Sequence, residues 1–222
     1  MINPDGFRLL CLLARWPQSP AERLALQQAI DGCRDWDVIL RAASRHHIIP
    51  LIYKTLTEAG SVTVPDRTMS ALRHKSRIGI GRALRIAAHT GTMISALDKA
   101  GIQSLALKGA ALSCQLYGDL ISRGAGDIDL LVDSETLWNA DAVLRDIGYR
   151  RSAGDLPPQR RAAYARWLKD LHYARDGWPM IELHHRLTNN RHLLPRDFTT
   201  LWSRREIIQV GPLDIPTLAR RD

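Results

Sequence analysis

The pattern of apolar and polar positions changes near residue 100. Before that point, apolar residues recur three and four positions apart, which predicts amphipathic helices. The predicted helices cover 7–14, 24–30, 36–43 and 51–56, followed by a long stretch that begins at Asp66 and ends near residue 100. The first hundred residues are therefore expected to form a helical layer.

After Gly101 the apolar positions alternate in short runs. Strands are predicted at 102–107, 126–132 and 149–151, and helices at 109–117, 134–147 and 157–168. The pair Asp176-Gly177 between two alternating runs, 172–175 and 179–187, is typical of a hairpin turn. A second hairpin is predicted from 205–210 and 213–215.

Strands and helices mix along this second part without strict alternation, which favours an α+β fold over a doubly wound parallel one. The predicted core is a mixed β-sheet. The predicted domains are a helical N-terminal region at 1–100 and an α+β core at 101–222.

Composition excludes several classes of protein. Over 222 residues, 45% are hydrophobic and 24% charged, which is ordinary for a globular chain and excludes disordered and fibrous proteins. No run approaches the eighteen or so apolar residues of a membrane span, and no basic stretch leads into an apolar segment at the N-terminus, so neither membrane insertion nor export is expected. Three scattered cysteines, Cys11, Cys33 and Cys114, predict reduced core thiols of a cytoplasmic protein.

The charge is unevenly distributed. The formal net charge is +8, and six bases lie between Arg67 and Arg85 with no acid from there until Asp98. Such a stretch suits a polyanionic partner, so nucleic-acid binding is one hypothesis. A solvated helix face is the simpler interpretation, and nucleic acid is therefore not favoured.

The sharpest chemical feature is the run Asp-Ile-Asp-Leu-Leu-Val at 127–132. On a strand, alternation places Asp127, Asp129 and Leu131 on one face and only apolar residues on the other. Two neighbouring carboxylates repel unless a cation lies between them, and Mg²⁺ favours one or two carboxylates together with substrate phosphate oxygens. The alternative is that both acids lie in water at the end of a strand.

A second feature lies just upstream, where a predicted strand runs through Lys108-Gly109 directly into a helix. The free N–H groups and positive dipole of a helix start attract anions. Gly109 would let a ligand approach the backbone, and Lys108 adds a full positive charge, so a phosphate site is predicted. No Walker A sequence is present. The alternative is a plain turn with an exposed lysine.

In combination, these motifs resemble the nucleotidyltransferase superfamily of the DNA polymerase β type. They more closely resemble a bacterial nucleotidyltransferase family with a Leu-Lys-Gly…Tyr…Arg…Asp-Ile-Asp-Leu-Leu-Val core. The matching residues are Leu107-Lys108-Gly109, Leu116-Tyr117, Arg123 and 127–132, with Trp36, 46–51 and 181–184 also similar. The resemblance extends over most of the chain. It implies transfer of a nucleoside monophosphate from an NTP to a hydroxyl-bearing acceptor with Mg²⁺ or Mn²⁺, the acceptor being an unidentified small molecule or protein.

The resemblance also implies a third acid on a later strand, and Glu182 fits best. Alternation places it on one face with His184 and Arg186, although it could instead pair with Arg186 or Lys169. The implied metal ligands are Asp127, Asp129 and Glu182, and Glu182 either completes the site or takes the proton of the acceptor. Lys108, Gly109 and Arg123 are the implied phosphate-binding residues. Asp133, Asp170 and Asp176 are weaker candidates for the third acid.

The chain departs from the resembled pattern in two ways. Ala110 follows the turn glycine where serine or glycine is usual, and the family tends to continue with further helix, so an acceptor-binding part is expected to be missing. A catalytically reduced NTP-binding or regulatory module is therefore the alternative function. The histidines at 172, 184, 185 and 192 match no zinc motif and are expected to be structural or solvated.

Overall fold

The computed structural model describes residues 2–16, 18–60, 63–190 and 197–221. Within these ranges it contains nine helices and seven strands, and the predicted α+β fold with a mixed sheet and an N-terminal helical layer is confirmed. The helices are α1 (Pro4–Leu13), α2 (Pro20–Asp31), α3 (Trp36–Arg45), α4 (Ile49–Ala59), α5 (Asp66–Lys99), α6 (Gly109–Tyr117), α7 (Leu137–Asp146), α8 (Pro158–Trp167) and α9 (Phe198–Ser203). The strands are β1 (Ser104–Ala106), β2 (Ile128–Val132), β3 (Arg150–Arg151), β4 (Asp170–Ala174), β5 (Ile181–His184), β6 (Glu206–Val210) and β7 (Leu213–Thr217).

Local sequence explains where the first helices begin. Ser19 and Glu22 form a reciprocal capping box at the start of α2, and the side chain of Asp35 accepts from the N–H of Val38 at the start of α3. Apolar side chains from α1 to α4 and the first half of α5 then form one buried cluster. Cys11 is exposed, contrary to the expected core thiol, because the buried face of α1 is formed by Leu9, Leu10 and Leu13.

The long helix α5 contributes to both parts of the chain. Leu72 packs in the helical cluster, whereas the stretch from Ile86 to Leu97 packs against the sheet. Gly91 lies where β7 crosses α5, and a Cβ built there would be 2.4 Å from Leu213 Cδ1, so this glycine permits the close approach. The division predicted at residue 100 falls just after α5 and stays a prediction.

The seven strands form one sheet in the order β3-β4-β5-β2-β1-β7-β6. The pairs β2–β5 and β1–β7 are parallel and the other neighbours antiparallel. One face is covered by the second half of α5 and by α7, over a core that includes Ile128, Leu130 and Leu183. The opposite face of β2 and β5 carries the acidic side chains, with a small apolar cluster beside α9.

The end of β5 differs from the sequence prediction. Strand β5 ends at His184 instead of continuing to Leu187, so alternation no longer decides where Leu187 points. Leu187 packs against the cluster formed by Leu105, Leu131 and Leu201. Among the described residues, no helix combines the length and the apolar character that a bilayer crossing requires.

Candidate active site

The two acidic motifs meet because β2 and β5 are parallel and in register. Asp129 lies directly beside Glu182, and Leu131 beside His184. On the other side of β5, antiparallel β4 places His172 beside Glu182 and Asp170 beside His184. Side chains in register on neighbouring strands share a face of the sheet, so three strands present their polar groups together.

Asp129 is the buried centre of this group. Its side chain is 1% exposed, and its Oδ1 lies 2.6 Å from Lys108 Nζ and 3.2 Å from His184 Nε2. Burial alone would raise the pKa of this carboxyl, but hydrogen bonds from His184 and Lys108 outweigh it and lower the pKa to about 2. Asp129 is therefore ionised at neutral pH.

Glu182 is more open than Asp129, with a side chain that is 22% exposed. Its Oε2 lies 3.4 Å from His184 Nε2, and its Oε1 lies 3.9 Å from His172 Nδ1. Donor atoms of Asp129, Glu182 and His184 all lie within 4.8 Å of one another, so one divalent cation could contact all three. The site thus offers two carboxylates and one imidazole.

Asp127 lies outside that donor group. It occupies the bend before β2 rather than the strand, half-buried. Its charge acts on Lys108: burial lowers the pKa of this ammonium, but Asp129, Glu182 and Asp127 together raise it above its ordinary value. Asp127 is therefore a neighbour of the buried acids at the edge of the site.

The predicted phosphate-binding turn adjoins the same acids. Lys108, half exposed, directly precedes α6, whose N-terminus has no side-chain cap. Gly109 has φ of +65°, a conformation that residues with a Cβ rarely adopt, so the turn requires glycine. The Lys108 ammonium, which directly precedes the free N–H groups of α6, thus lies next to Asp129.

Arg123 lies in the loop between α6 and β2. Its backbone N–H donates to Ser113 Oγ at 3.1 Å, which ties the loop to α6. The same loop contains Asp119, whose side chain accepts from the N–H groups of Ile121 and Ser122. Burial raises the pKa of Asp119, but hydrogen bonds from Ser122 and Lys54 lower it overall.

The helical layer also holds this loop. Lys54 of α4 lies 2.9 Å from Asp119 Oδ2, and the N–H of Gly124 donates to the backbone oxygen of His47 at 2.9 Å. Arg82 of α5 donates to the backbone oxygen of Gly126 at 3.0 Å. Three contacts from the first hundred residues therefore position the loop that leads into Asp127.

Two residues of the site have a larger part in it than the sequence predicts. His184 was expected to be structural or solvated, yet it is 3% exposed and its ring lies among carboxylates: Nε2 faces Asp129 and Glu182, and Nδ1 is 3.6 Å from Asp170 Oδ2. Asp170, ranked as a weak rival for the third acid, also pairs with Lys169. The strand alternation does indicate His184, because it is two residues from Glu182 on the same face of β5.

His192 lies outside the described residues.

Two cavities lie away from the acids. One of about 460 Å³ lies among α1, α2 and α3, and one of about 550 Å³ is lined by residues that include Ser134, His185 and Leu201. Neither is lined by Asp129 or Glu182. The acidic group reaches solvent at Lys108 and Glu182, whose side chains are partly exposed, whereas Asp129 is buried.

Comparison with known proteins identifies the family of the chain. Neither a curated protein nor a solved structure matches the chain. A family model described as "Uncharacterised nucleotidyltransferase" matches residues 32–222, which include every element from α3 to β7 and all the acids of the site. The resemblance inferred from the motifs is confirmed, and the chain belongs to this nucleotidyltransferase family.

Proposed function

We propose that this nucleotidyltransferase moves a nucleoside monophosphate from an NTP to a hydroxyl-bearing acceptor, with a divalent cation held at Asp129 and Glu182 and with Asp127 at its edge. The observation that carries the proposal is the in-register pairing of β2 with β5, which sets Asp129 beside Glu182. This position already attracts positive charge, because the Lys108 ammonium lies 2.6 Å from Asp129 Oδ1. The donor group therefore fits a divalent ion such as Mg²⁺ or Mn²⁺.

The turn before α6 supplies the phosphate contacts. The uncapped N–H groups that begin at Gly109 and the Lys108 ammonium bind the β- and γ-phosphates, and Arg123 assists from the neighbouring loop. These positive groups stabilise the charge that collects on the departing pyrophosphate. Lys108 can do so by exchanging its contact with Asp129 for one with phosphate, since half of its side chain is already exposed.

In the reaction, the acceptor oxygen forms a bond to the α-phosphorus while the bond from that phosphorus to the bridging oxygen of the β-phosphate breaks. Asp129 and Glu182 would hold the cation, which would supply positive charge to neutralise the phosphates. The acceptor hydroxyl loses its proton to Glu182, the more exposed of the two paired carboxylates, while the buried Asp129 stays ionised. The products are the nucleotidylated acceptor and pyrophosphate.

The test is transfer of label from each α-³²P-labelled NTP to species of a cell lysate, with Mg²⁺ or Mn²⁺ added. Wild-type protein should label an acceptor, and Asp127→Asn and Glu182→Gln should each lower transfer by about 100-fold or more, because replacing even the outer partners of metal ligands costs about 10–100-fold. Glu135→Gln, an exposed acid after β2, is the matched control and should keep full transfer.

Full activity in Asp127→Asn would remove Asp127 from the mechanism, and full activity in Glu182→Gln would overturn the proposed site of paired carboxylates. NTP binding without label transfer or pyrophosphate release would instead favour the regulatory module. Folding of each variant is checked by its thermal unfolding, so that loss of transfer is not confused with loss of structure.

A further inference from the structure

We infer that His184 is itself a metal ligand, so that the site is a mixed nitrogen and oxygen site that prefers a first-row transition ion such as Mn²⁺ over Mg²⁺. This inference rests on the proposed function, because it concerns the same cation. The observation that supports it is the position of His184. Its side chain is 3% exposed, and its Nε2 lies 3.2 Å from Asp129 Oδ1 and 3.4 Å from Glu182 Oε2. Its donor atom is thus within the 4.8 Å group that the two carboxylates define.

The second ring nitrogen has the partner that a metal-binding histidine needs. His184 Nδ1 lies 3.6 Å from Asp170 Oδ2, and metal-bound histidines commonly donate their other N–H to a carboxylate, which fixes the tautomer and the ring orientation. With a cation bound, a proton on Nδ1 would leave the lone pair of Nε2 free to contact the ion, in place of the hydrogen bond that Nε2 otherwise donates to Asp129. Lys169, 3.4 Å from Nδ1, is itself paired with Asp170 Oδ2. Asp170 is therefore inferred to be a positioning residue.

The strand register explains how the imidazole reaches this position. His184 lies two residues after Glu182 on the same face of β5, and it has Leu131 beside it on β2 and Asp170 beside it on β4. Leu131 on one side and Asp170 on the other limit where the ring can lie. The ring is therefore on the same face of the sheet as Asp129. His185, the next residue, contacts Leu168 O and Ser134 instead.

The ligand set determines which ion is preferred. Mg²⁺ favours oxygen ligands in near-ideal octahedral geometry and retains several waters, whereas imidazole is a normal ligand of first-row transition ions. Two carboxylates and one imidazole therefore favour Mn²⁺ over Mg²⁺. The competing interpretation is that His184 is a protonated partner of the two acids and never contacts the metal.

The experiment is electron spin-echo envelope modulation of Mn²⁺ added to the untagged protein without nucleotide. Direct ligation by His184 should give strong ¹⁴N modulation, which should change in protein labelled with ¹⁵N-histidine and disappear in His184→Gln. His172→Gln is the matched control, since this half-exposed histidine lies near Glu182 at 3.9 Å, and it should keep the modulation. Asp170→Asn should weaken Mn²⁺ binding by about 10–100-fold.

Competition with Mg²⁺ provides a second measurement, and a large molar excess of Mg²⁺ should be needed to displace Mn²⁺. Bound Mn²⁺ without histidine modulation would overturn the inference and leave the proposed nucleotidyl transfer intact. Equal affinity for the two ions would overturn the stated preference. Should His184→Gln fail to fold, the ¹⁵N-histidine labelling of the wild-type protein still decides the ligation. Failure of the proposed function is detected separately, as absence of label transfer by a protein that binds Mn²⁺.

Discussion

Replacing Lys108 tests whether this ammonium occupies the cation position of the site. Lys108 Nζ lies against Oδ1 of Asp129, and the same carboxylate would hold the proposed metal, so the two cations should compete. In Lys108→Met the competitor is gone while the length of the side chain is kept. We expect the variant to bind Mn²⁺ more tightly than wild type in the absence of nucleotide, and to bind and use NTP less well.

The size of the effect follows from the pKa of Asp129. Lowering this pKa from 3.8 to about 2 corresponds to a net preference of roughly 2 kcal/mol for the ionised carboxylate, after the opposing effect of burial. Two hydrogen bonds, from His184 and from Lys108, share this preference. Lys108 is half exposed, so solvent screens its part, and about 1 kcal/mol is a reasonable share. Its loss should strengthen Mn²⁺ binding by about fivefold.

The assay is a calorimetric titration with Mn²⁺ on the free protein, followed by NTP titration at saturating Mn²⁺. Lys108→Arg is the control, because it keeps a cation near Asp129 and should not gain affinity for the metal. Unchanged or weaker Mn²⁺ binding by Lys108→Met would show that the two cations do not compete, and the proposed exchange of Lys108 from carboxylate to phosphate would then be wrong. If Lys108→Met gains Mn²⁺ affinity without losing NTP affinity, Lys108 competes with the metal but does not bind the phosphates.

Two further substitutions test the supports of the site. Gly124→Ala would place a Cβ 2.9 Å from the backbone oxygen of His47, so we expect a shifted loop, about 1–3 kcal/mol of destabilisation and reduced label transfer, whereas Gly126→Ala should be tolerated because its Cβ meets only a flexible arginine end at 3.7 Å. Asp141→Ala leaves buried Arg151 without its partner at 2.9 Å and should lower the free energy of unfolding in urea by about 3–5 kcal/mol; an effect below 1 kcal/mol would refute this.

The two faces of β2 could be predicted from sequence because alternation is a local property. Asp129 and Leu131 lie on one face, and Ile128 and Leu130 pack in the core of the other, as the pattern indicates. What alternation does not determine is which strand lies beside β2. The parallel partner β5 begins about fifty residues later, and only the folded register brings Glu182 to Asp129.

The imidazole of the site was missed for a different reason. The histidines were compared with zinc motifs, in which spacing along the chain is the criterion, and none matched. The relevant neighbours of His184 come from three strands, so no local spacing describes them. The periodicity of the strand nevertheless placed His184 on the face of Glu182, and this was the available signal.

The basic stretch of α5 shows how surface charge alone is ambiguous. The same basic sequence is expected for a helix face that lies in solvent and for one that binds a polyanion. In the fold, Arg82 donates to the backbone oxygen of Gly126, and Arg73 donates to the hydroxyl of Tyr53. These contacts join α5 to α4 and to the loop before β2. The charge pattern alone does not indicate which elements lie next to α5.

A single helix that serves two hydrophobic clusters has a consequence for how the molecule melts. At 34 residues, α5 is about 50 Å long, and its two halves are stabilised by different sets of apolar side chains. Helical segments depend mainly on tertiary packing, so fraying of either half weakens the other through the shared backbone. Melting of the two clusters should therefore be coupled, because each cluster stabilises a half of the same helix.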